Sequence, residues 1–179
     1  PVPTASIVGY TNTGKSTLLN KLTGSNVHVA DKLFATLDPT SRKVNLPSGR
    51  VLVLTDTVGF VRNLPHRLVD AFKATLEEAL VADFLIHVVD LSSSEMGDQM
   101  ETTLEVLGDL GAADKKIVTV FNKVDLIEDE MELVTARFRD NDGIFLSAAT
   151  GEGLGDLLTA CDEVLGEGIA EREYLSLIH

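Results

Sequence analysis

The sequence predicts an α/β fold with a six-stranded, mostly parallel sheet and helices on both faces. Apolar strand segments alternate with helical segments along the 179 residues. Two predicted strands, 84–90 and 117–122, are apolar on both faces, as buried parallel strands are. Residues 47–49, Pro-Ser-Gly, join two other strands too closely for a crossover, so that pair is antiparallel and forms an edge. A chain of this length can bury a full core as one domain without metals or disulfides.

The elements follow in order from local patterns. The first strand is an apolar run before a glycine-rich turn, the second and third flank the Pro-Ser-Gly turn, and the last precedes a Ser-Ala-Ala segment. The six predicted strands are residues 4–8, 42–46, 50–55, 84–90, 117–122 and 144–147. Helices are predicted after the glycine-rich turn, where apolar residues recur at helical spacing, and between the later strands. These helices are residues 15–22, 65–80, 96–110, 131–139 and 154–165.

Charge is distributed unevenly along the chain. Residues 1–73 carry a net charge of +5 and residues 74–179 a net charge of −18, within a total of −13. The acidic part would repel a polyanion, so an RNA-rich partner is expected to approach the other part, although ordinary solvated surface explains both. Six of the nine basic side chains there are Arg42, Lys43, Arg50, Arg62, Arg67 and Lys73.

Cysteine and apolar content exclude several classes of protein. Cys161 is the only cysteine, so no intrachain disulfide forms, and we expect it to be a buried small hydrophobe. Cys161 and the four histidines are not spaced along the sequence as zinc ligands are, so no zinc site is predicted. No run approaches the roughly 20 apolar residues that span a bilayer, and no signal peptide is recognisable. A cytoplasmic domain excised from a longer protein is the expectation.

A complete phosphate-binding loop of the form GxxxxGK[ST] follows the first strand. It reads Gly9-Tyr10-Thr11-Asn12-Thr13-Gly14-Lys15-Ser16, and Thr17 comes next. In such a loop the glycines let backbone N–H groups face the α- and β-phosphates, the lysine reaches the β- and γ-phosphates, and the serine hydroxyl ligates Mg²⁺. The strand before it and the helix after it favour this interpretation over a glycine-rich turn that carries a lysine by chance. The sequence therefore predicts a P-loop site for a nucleoside triphosphate and Mg²⁺.

A second motif, Asp56-Thr57-Val58-Gly59, follows the apolar segment 51–54. A carboxylate at such a strand end is suited to hold the Mg²⁺ shell, commonly through water, which makes Asp56 a metal-site candidate. Gly59 leaves its backbone N–H free to approach the γ-phosphate. Asp-x-x-Gly is common in turns, but its place on its own strand after a phosphate-binding loop makes it specific here.

A third motif, Asn122-Lys123-Val124-Asp125, predicts the base. The Asp125 carboxylate accepts hydrogen bonds from N1–H and the exocyclic amine of guanine. Adenine lacks both donors and would leave a buried charge unpaired, which gives a discrimination of about 10⁴. Asn122 is expected to tie this loop to the phosphate-binding loop, and the stem of Lys123 to cover the base. A backbone N–H of Ser147-Ala148-Ala149 is expected to meet guanine O6, so the predicted ligands are GTP and GDP.

These segments carry a family resemblance. GYTNTGKST, DTVG, NKVD and SAATGEG resemble the translation-factor-related branch of GTPases, across nearly the whole chain. Within that branch, residues 34–40, 56–65 and 68–78 closely resemble the HflX family. HflX proteins are GTPases that bind the large ribosomal subunit, and some members split stalled ribosomes under stress. The resemblance implies a G domain over residues 1–166, without the family's amino-terminal domain. Residues 167–179 are weakly patterned, and we expect them to be a tail or the stub of a removed segment.

The resemblance also assigns the switch residues. It implies that Thr36 closes on Mg²⁺ and the γ-phosphate in the GTP state, with Thr40 as the competing candidate. Phe60 stands where many small GTPases have a glutamine that orients the attacking water. Because phenylalanine cannot hydrogen-bond to water, we expect hydrolysis by the domain alone to be slow and to be stimulated by a partner.

Asn12 is a candidate ligand for a second cation. Similar potassium-stimulated GTPases have an asparagine at this position, and K⁺ there would add positive charge where phosphoryl transfer spreads negative charge. The alternative is a polar residue tolerated in a tight loop. The predicted catalytic residues are therefore Asn12, Lys15, Thr36 and Gly59.

Three functions remain open at this point. The first is an HflX-type, GTP-hydrolysing switch that acts on ribosomes, the second a nucleotide-dependent binding module in which hydrolysis is incidental. The third is a related GTPase of ribosome assembly or RNA modification. In each case we expect the isolated domain to be a monomer. A small-molecule kinase is disfavoured, because residues 122–125 select a base and no acceptor lid is evident.

Overall fold

The computed structural model describes residues 1–24, 41–57, 77 and 79–178. Within these ranges the strands are β1 (Thr4–Val8), β2 (Ser41–Asn45), β3 (Val51–Asp56), β4 (Phe84–Asp90), β5 (Ile117–Asn122) and β6 (Ile144–Phe145). The longer helices of the same ranges are α1 (Lys15–Thr23), α2 (Met96–Asp109), α3 (Glu130–Arg139) and α4 (Leu154–Ile178). No helix in these ranges combines the length and the apolar character needed to cross a membrane.

The strands form one sheet in the order β2-β3-β1-β4-β5-β6. The β2–β3 pair is antiparallel, and the other four neighbouring pairs are parallel. The Leu46 N–H donates to the Arg50 carbonyl over 2.8 Å, which closes the tight turn between β2 and β3. The predicted α/β sheet with one antiparallel edge is confirmed.

Helices cover both faces of the sheet, as predicted, because successive strand side chains point to opposite faces. On one face Ile86 and Val88 of β4 belong to a core with side chains of α1 and α4. On the other face Leu85 packs with Leu107 of α2, and Val89 lies in a cluster with Ala136 of α3. The central strands are thus buried on both sides, and their carboxyl ends are left for the loops.

Among the described residues, two predicted boundaries differ from the structure by more than one residue. The last helix was expected to end at residue 165 but continues to Ile178, because the segment after Gly166 and Gly168 contains good helix formers and no proline. The strand β6 ends two residues early, since the backbone of Ser147 instead bonds to Gly151 and Glu152. Most of the predicted helix 65–80 lies outside the described residues. The division between a domain and a tail at residue 166 stays a prediction.

Cys161 is buried on α4, as predicted. It is 1% exposed and packs in the same core as the apolar side chains of α1. Burial, aided by the negative charge of Asp162, raises the pKa of its thiol to about 12. The side chain is therefore a small apolar group and not a reactive thiolate.

His87 in the middle of β4 makes the stability depend on pH. Its side chain is 1% exposed, and burial lowers the pKa of the imidazole from 6.5 to about 4. The unfolded chain therefore takes up a proton on this residue at a higher pH than the folded chain, so stability is lost as the pH falls through this window. We expect this residue to lower the free energy of unfolding by about 3 kcal/mol between pH 7 and pH 4.

Urea denaturation at a series of pH values measures this effect. The substitution His87→Leu replaces the imidazole with an apolar side chain of similar size and should flatten the pH dependence between pH 6.5 and 4. Parallel pH profiles for the wild type and the variant would show that the imidazole takes up its proton at the same pH in the folded and unfolded chains, which would contradict the lowered pKa.

Candidate nucleotide-binding site

The predicted motifs meet at one edge of the sheet. The strands β1, β3, β4 and β5 run parallel, so their carboxyl ends open at the same side, where ligands bind in open α/β sheets. The register places Asp56 beside Ile7 and Asp90 beside Asn122. Three separate sequence motifs are therefore brought together by the order of the strands.

The phosphate-binding loop requires glycine at both of its fixed positions. A Cβ added at Gly9 would collide with the carbonyl oxygen of Val88, and one at Gly14 would collide with the side-chain amide of Asn122. The loop also contains Asn12 at φ 66°, in the left-handed region that asparagine adopts more readily than most residues. This conformation supports the structural explanation of Asn12, and the K⁺ role stays a prediction.

Lys15 lies buried at the start of α1, with 7% of the residue exposed. Its Nζ donates hydrogen bonds to the carbonyl oxygens of Gly9, at 3.1 Å, and of Tyr10, at 3.0 Å. Burial lowers the pKa of Lys15, while the negative charge of Asp56 opposes that shift. The amine thus spans the loop and lines a cavity of about 380 Å³. The cavity walls are Thr11, Asn12, Gly14, Lys15, Ser16, Thr17, Asp56 and Thr57.

Two side chains predicted to supply oxygen ligands to Mg²⁺, Ser16 and Asp56, lie next to each other. Ser16 Oγ donates to Asp56 Oδ2 over 3.2 Å, which brings the start of α1 to the end of β3. The next residue, Thr57, donates through both its N–H and its hydroxyl to the carbonyl of Ile7, which fixes the chain beside β1. A hydroxyl and a carboxylate form the kind of donor set that Mg²⁺ prefers, so these residues fit the ion.

Asn122 joins three loops of the site. Its Nδ2 donates to the carbonyl of Thr13 over 2.8 Å, and its Oδ1 accepts from the N–H of Ala148 over 2.9 Å. The residue is 2% exposed, so both bonds are made in the interior. The expected tie between the phosphate-binding loop and residues 122–125 is confirmed, and it extends to the Ser147–Ala149 loop. Ala149 itself is exposed.

We expect loss of the Asn122 side chain to destabilise the domain. The substitution Asn122→Ala leaves a buried carbonyl and a buried N–H without their partner, at a cost of about 2–4 kcal/mol in the free energy of unfolding. Urea denaturation in the absence of nucleotide measures the effect. Asn141→Ala, at an exposed position, is the control and should change stability by less than about 0.5 kcal/mol. Equal stability of both variants would contradict the structural role of Asn122.

The predicted base-selecting loop, residues 122–125, has a charged anchor that its motif does not reveal. Lys123 adopts φ 73°, and its Nζ bonds to the Asn12 carbonyl at 2.7 Å and to Asp90 Oδ2 at 3.0 Å. Asp90 stands at the end of β4, so the rule that strand ends share one edge places it near the site but does not identify Lys123 as its partner. Asp125 lies in a single 3₁₀ turn, Val124–Leu126, and is exposed, as a residue that meets a ligand must be.

Some predicted residues lie outside the described part of the chain. These are the switch candidates Thr36 and Thr40, the second-motif glycine Gly59, and Phe60. Their roles stay predictions. The described residues include the phosphate-binding loop, Asp56 and both loops of the predicted base site, residues 122–125 and 147–149.

Fold and site together define a P-loop nucleotide-binding domain of the GTPase class. A family model described as "50S ribosome-binding GTPase" matches residues 4–123. The chain belongs to this GTPase family, and the resemblance to HflX is confirmed by its relatives.

Two curated relatives illustrate that similarity. The GTPase HflX of Akkermansia muciniphila is 54% identical over 178 residues, which are 97% of this chain and 41% of that protein. The GTPase HflX of Escherichia coli is 45% identical over 172 residues, 95% of this chain and 40% of that protein. The chain thus spans about two fifths of the length of these relatives.

A solved structure supports the fold. A GTP-binding protein from the hyperthermophilic archaeon Sulfolobus solfataricus, in complex with GDP, superposes with a TM-score of 0.75 at 30% identity. The match covers 92% of this chain and 53% of that one.

Proposed function

We propose that this chain is the GTP-binding and GTP-hydrolysing domain of an HflX-type switch that associates with the large ribosomal subunit in the cytoplasm. The proposed nucleotide binding rests on the two hydrogen bonds of the Asn122 side chain, which couple the phosphate-binding loop to the loops proposed to select the base. The family description and the HflX relatives support the ribosomal part.

Each loop then has a separate task. Backbone N–H groups of residues 9–17 surround the phosphates, and Lys15 exchanges its bonds with the loop carbonyls for bonds to the β- and γ-phosphates. The exposed Asp125 carboxylate accepts from the guanine edge, and Lys123 covers the ring. Ser147, Ala148 and Ala149 form the remaining wall, where a backbone N–H meets guanine O6.

The metal belongs to the same proposal. Ser16 and Asp56 would hold Mg²⁺, Asp56 through water, and Thr36 would join them in the GTP state. When bound, Mg²⁺ neutralises the charge that develops on the phosphate oxygens. The protein itself holds the oxygen atoms of Ser16 and Asp56 close to Lys15. The hydrogen bond between Ser16 and Asp56 supports this arrangement.

Hydrolysis is proposed to depend on a partner. Phe60 provides no hydrogen bond to orient water, so the domain alone should turn over slowly, on the order of 10⁻³ s⁻¹, as unassisted GTPases do. A partner accelerates the reaction by ordering the switches or by supplying a group. Thr36, or Thr40 in its place, and the Gly59 N–H would then close on the γ-phosphate.

Single-turnover hydrolysis of GTP tests this proposal. The chain and a full-length protein that contains it are each measured alone, with purified 50S subunits and with 30S subunits as the control. We expect slow turnover alone and at least about tenfold acceleration of the full-length protein by 50S subunits. A rate of several per second for the chain alone would contradict partner dependence.

Two companion measurements, of binding to 50S subunits and of hydrolysis in different salts, distinguish the remaining alternatives. Binding of 50S subunits without acceleration would make the protein a nucleotide-dependent binding module. Equal rates in KCl and NaCl at the same ionic strength would remove K⁺ and its proposed ligand Asn12 from the mechanism, whereas faster hydrolysis in KCl would support them.

A further inference from the structure

An ion pair stands at the rim of the phosphate-binding loop. Lys123 Nζ lies 3.0 Å from Asp90 Oδ2 and also donates to the carbonyl oxygen of Asn12 over 2.7 Å. The side chains of Lys123 and Asp90 are only 29% and 16% exposed, so the pair is partly shielded from water. One ammonium group thus connects the end of β4 to the phosphate-binding loop.

Asp90 is itself held in place. Its Oδ1 accepts from the N–H of Ser92 at 2.9 Å and from the hydroxyl of Ser92 at 2.6 Å, which leaves Oδ2 for the lysine. The backbone is fixed as well, because Asp90 lies beside Asn122 in the sheet and the Leu91 N–H donates to the Asn122 carbonyl over 3.0 Å. The carboxylate is therefore a fixed anchor, and the lysine is the side chain that it holds.

The backbone of Lys123 needs such an anchor. Its φ of 73° lies in the left-handed region, which is unfavourable for a residue with a Cβ and persists only where the surroundings enforce it. The two bonds of the ammonium group fix the direction of the side chain without any help from a bound base. A side chain that is ordered in advance loses less conformational entropy when a ligand packs against it.

We propose that Asp90 is a positioning residue that holds the stem of Lys123 over the base and thereby slows release of the guanine nucleotide. The inference rests on the proposed function, because it takes the base to bind beside Lys123. Asp90 acts through the lysine and not on the nucleotide itself.

Release of fluorescently labelled GDP, followed by stopped flow, tests this inference. We expect Asp90→Ala to accelerate release about fivefold, the size of effect typical of a partly exposed, charge-assisted hydrogen bond. Asp114→Ala removes an exposed carboxylate from a loop at the opposite edge and should leave the rate unchanged. In the Lys123→Ala background, Asp90→Ala should have no further effect, because the residue through which it acts is gone.

A conservative variant separates positioning from a general structural role. Asp90→Asn leaves one oxygen acceptor for two sets of donors, Lys123 Nζ and Ser92, so the bond to Nζ is weakened and not abolished. This variant should therefore release GDP at a rate between those of the wild type and Asp90→Ala. If Asp90→Ala does not fold, as judged by thermal melting, Asp90→Asn alone must still accelerate release in the wild-type background and not in the Lys123→Ala background.

Several results would overturn the inference. An unchanged rate would show that Asp90 does not position the lysine, and an equal acceleration with Lys123 already removed would show that it acts elsewhere. Slower release would mean that the carboxylate mainly repels the phosphates. These results differ from failure of the proposed function, in which the wild-type chain would not bind labelled GDP or would bind adenine nucleotides equally well.

Discussion

Replacing Lys15 with methionine is expected to lower the affinity for GDP and GTP by at least about 100-fold, since it removes a charge-assisted bond to phosphate. The same change should leave the protein folded. Lys15 is 7% exposed and burial lowers its pKa, so the fold bears a cost for keeping an amine there. An apolar side chain of similar length removes that cost but also removes the bonds to the carbonyls of Gly9 and Tyr10. Because these two effects oppose each other, we expect the free energy of unfolding without nucleotide to change by less than about 1 kcal/mol.

Equilibrium binding of labelled GDP, together with urea denaturation of the same samples, separates the two effects. Lys21→Met, at an exposed position of the same helix, is the matched control and should alter neither quantity. If Lys15→Met bound nucleotide as well as the control, the phosphate role of the loop would be wrong. If it unfolded, the amine would be needed for structure and not chiefly for the ligand.

Replacing Asp125 with asparagine is expected to change which base is bound. The carboxylate offers two acceptors, which suit N1–H and the exocyclic amine of guanine. An amide offers one acceptor and one donor, which suit the N1–H and the C2 carbonyl of xanthine. We expect the affinity for GDP to fall by a factor of about 10²–10³ and the affinity for xanthosine diphosphate to rise by a similar factor.

Competition against labelled GDP or labelled xanthosine diphosphate measures both affinities. Asp142→Asn makes the same chemical change at an exposed loop position and should keep the preference of the wild type. If Asp125→Asn lowered the affinity for both GDP and xanthosine diphosphate, we would conclude that Asp125 supports the loop and does not contact the base edge.

The sequence predicted the parts of the fold that depend on local pattern. The bounds of β4 and β5 agree with the structure, because both strands are largely buried on both faces and their sequences are mainly apolar, with His87 and Thr119 as interior exceptions. The phosphate-binding loop was recognisable since its glycines are required by close contacts with Val88 and Asn122.

The features that were missed depend on tertiary contacts. Asp90 acquires its role from the β4–β5 register, which places it next to the base-selecting loop, and a strand end by itself does not reveal that partner. The left-handed backbone of Lys123 likewise leaves no strong local signal. The extension of α4 to Ile178 is different, because its residues are good helix formers whose local preference was masked by Gly166 and Gly168.

Titration of the wild-type chain with Mg²⁺–GDP and with Mg²⁺–ADP in a calorimeter tests the central claim most directly. The claim is that the coupled loops around Lys15, Asn122 and Asp125 form one guanine-nucleotide site. It predicts one GDP bound per chain and an affinity for ADP that is weaker by at least about 10³. Affinities for GDP and ADP within tenfold of each other, or no binding of GDP, would contradict it.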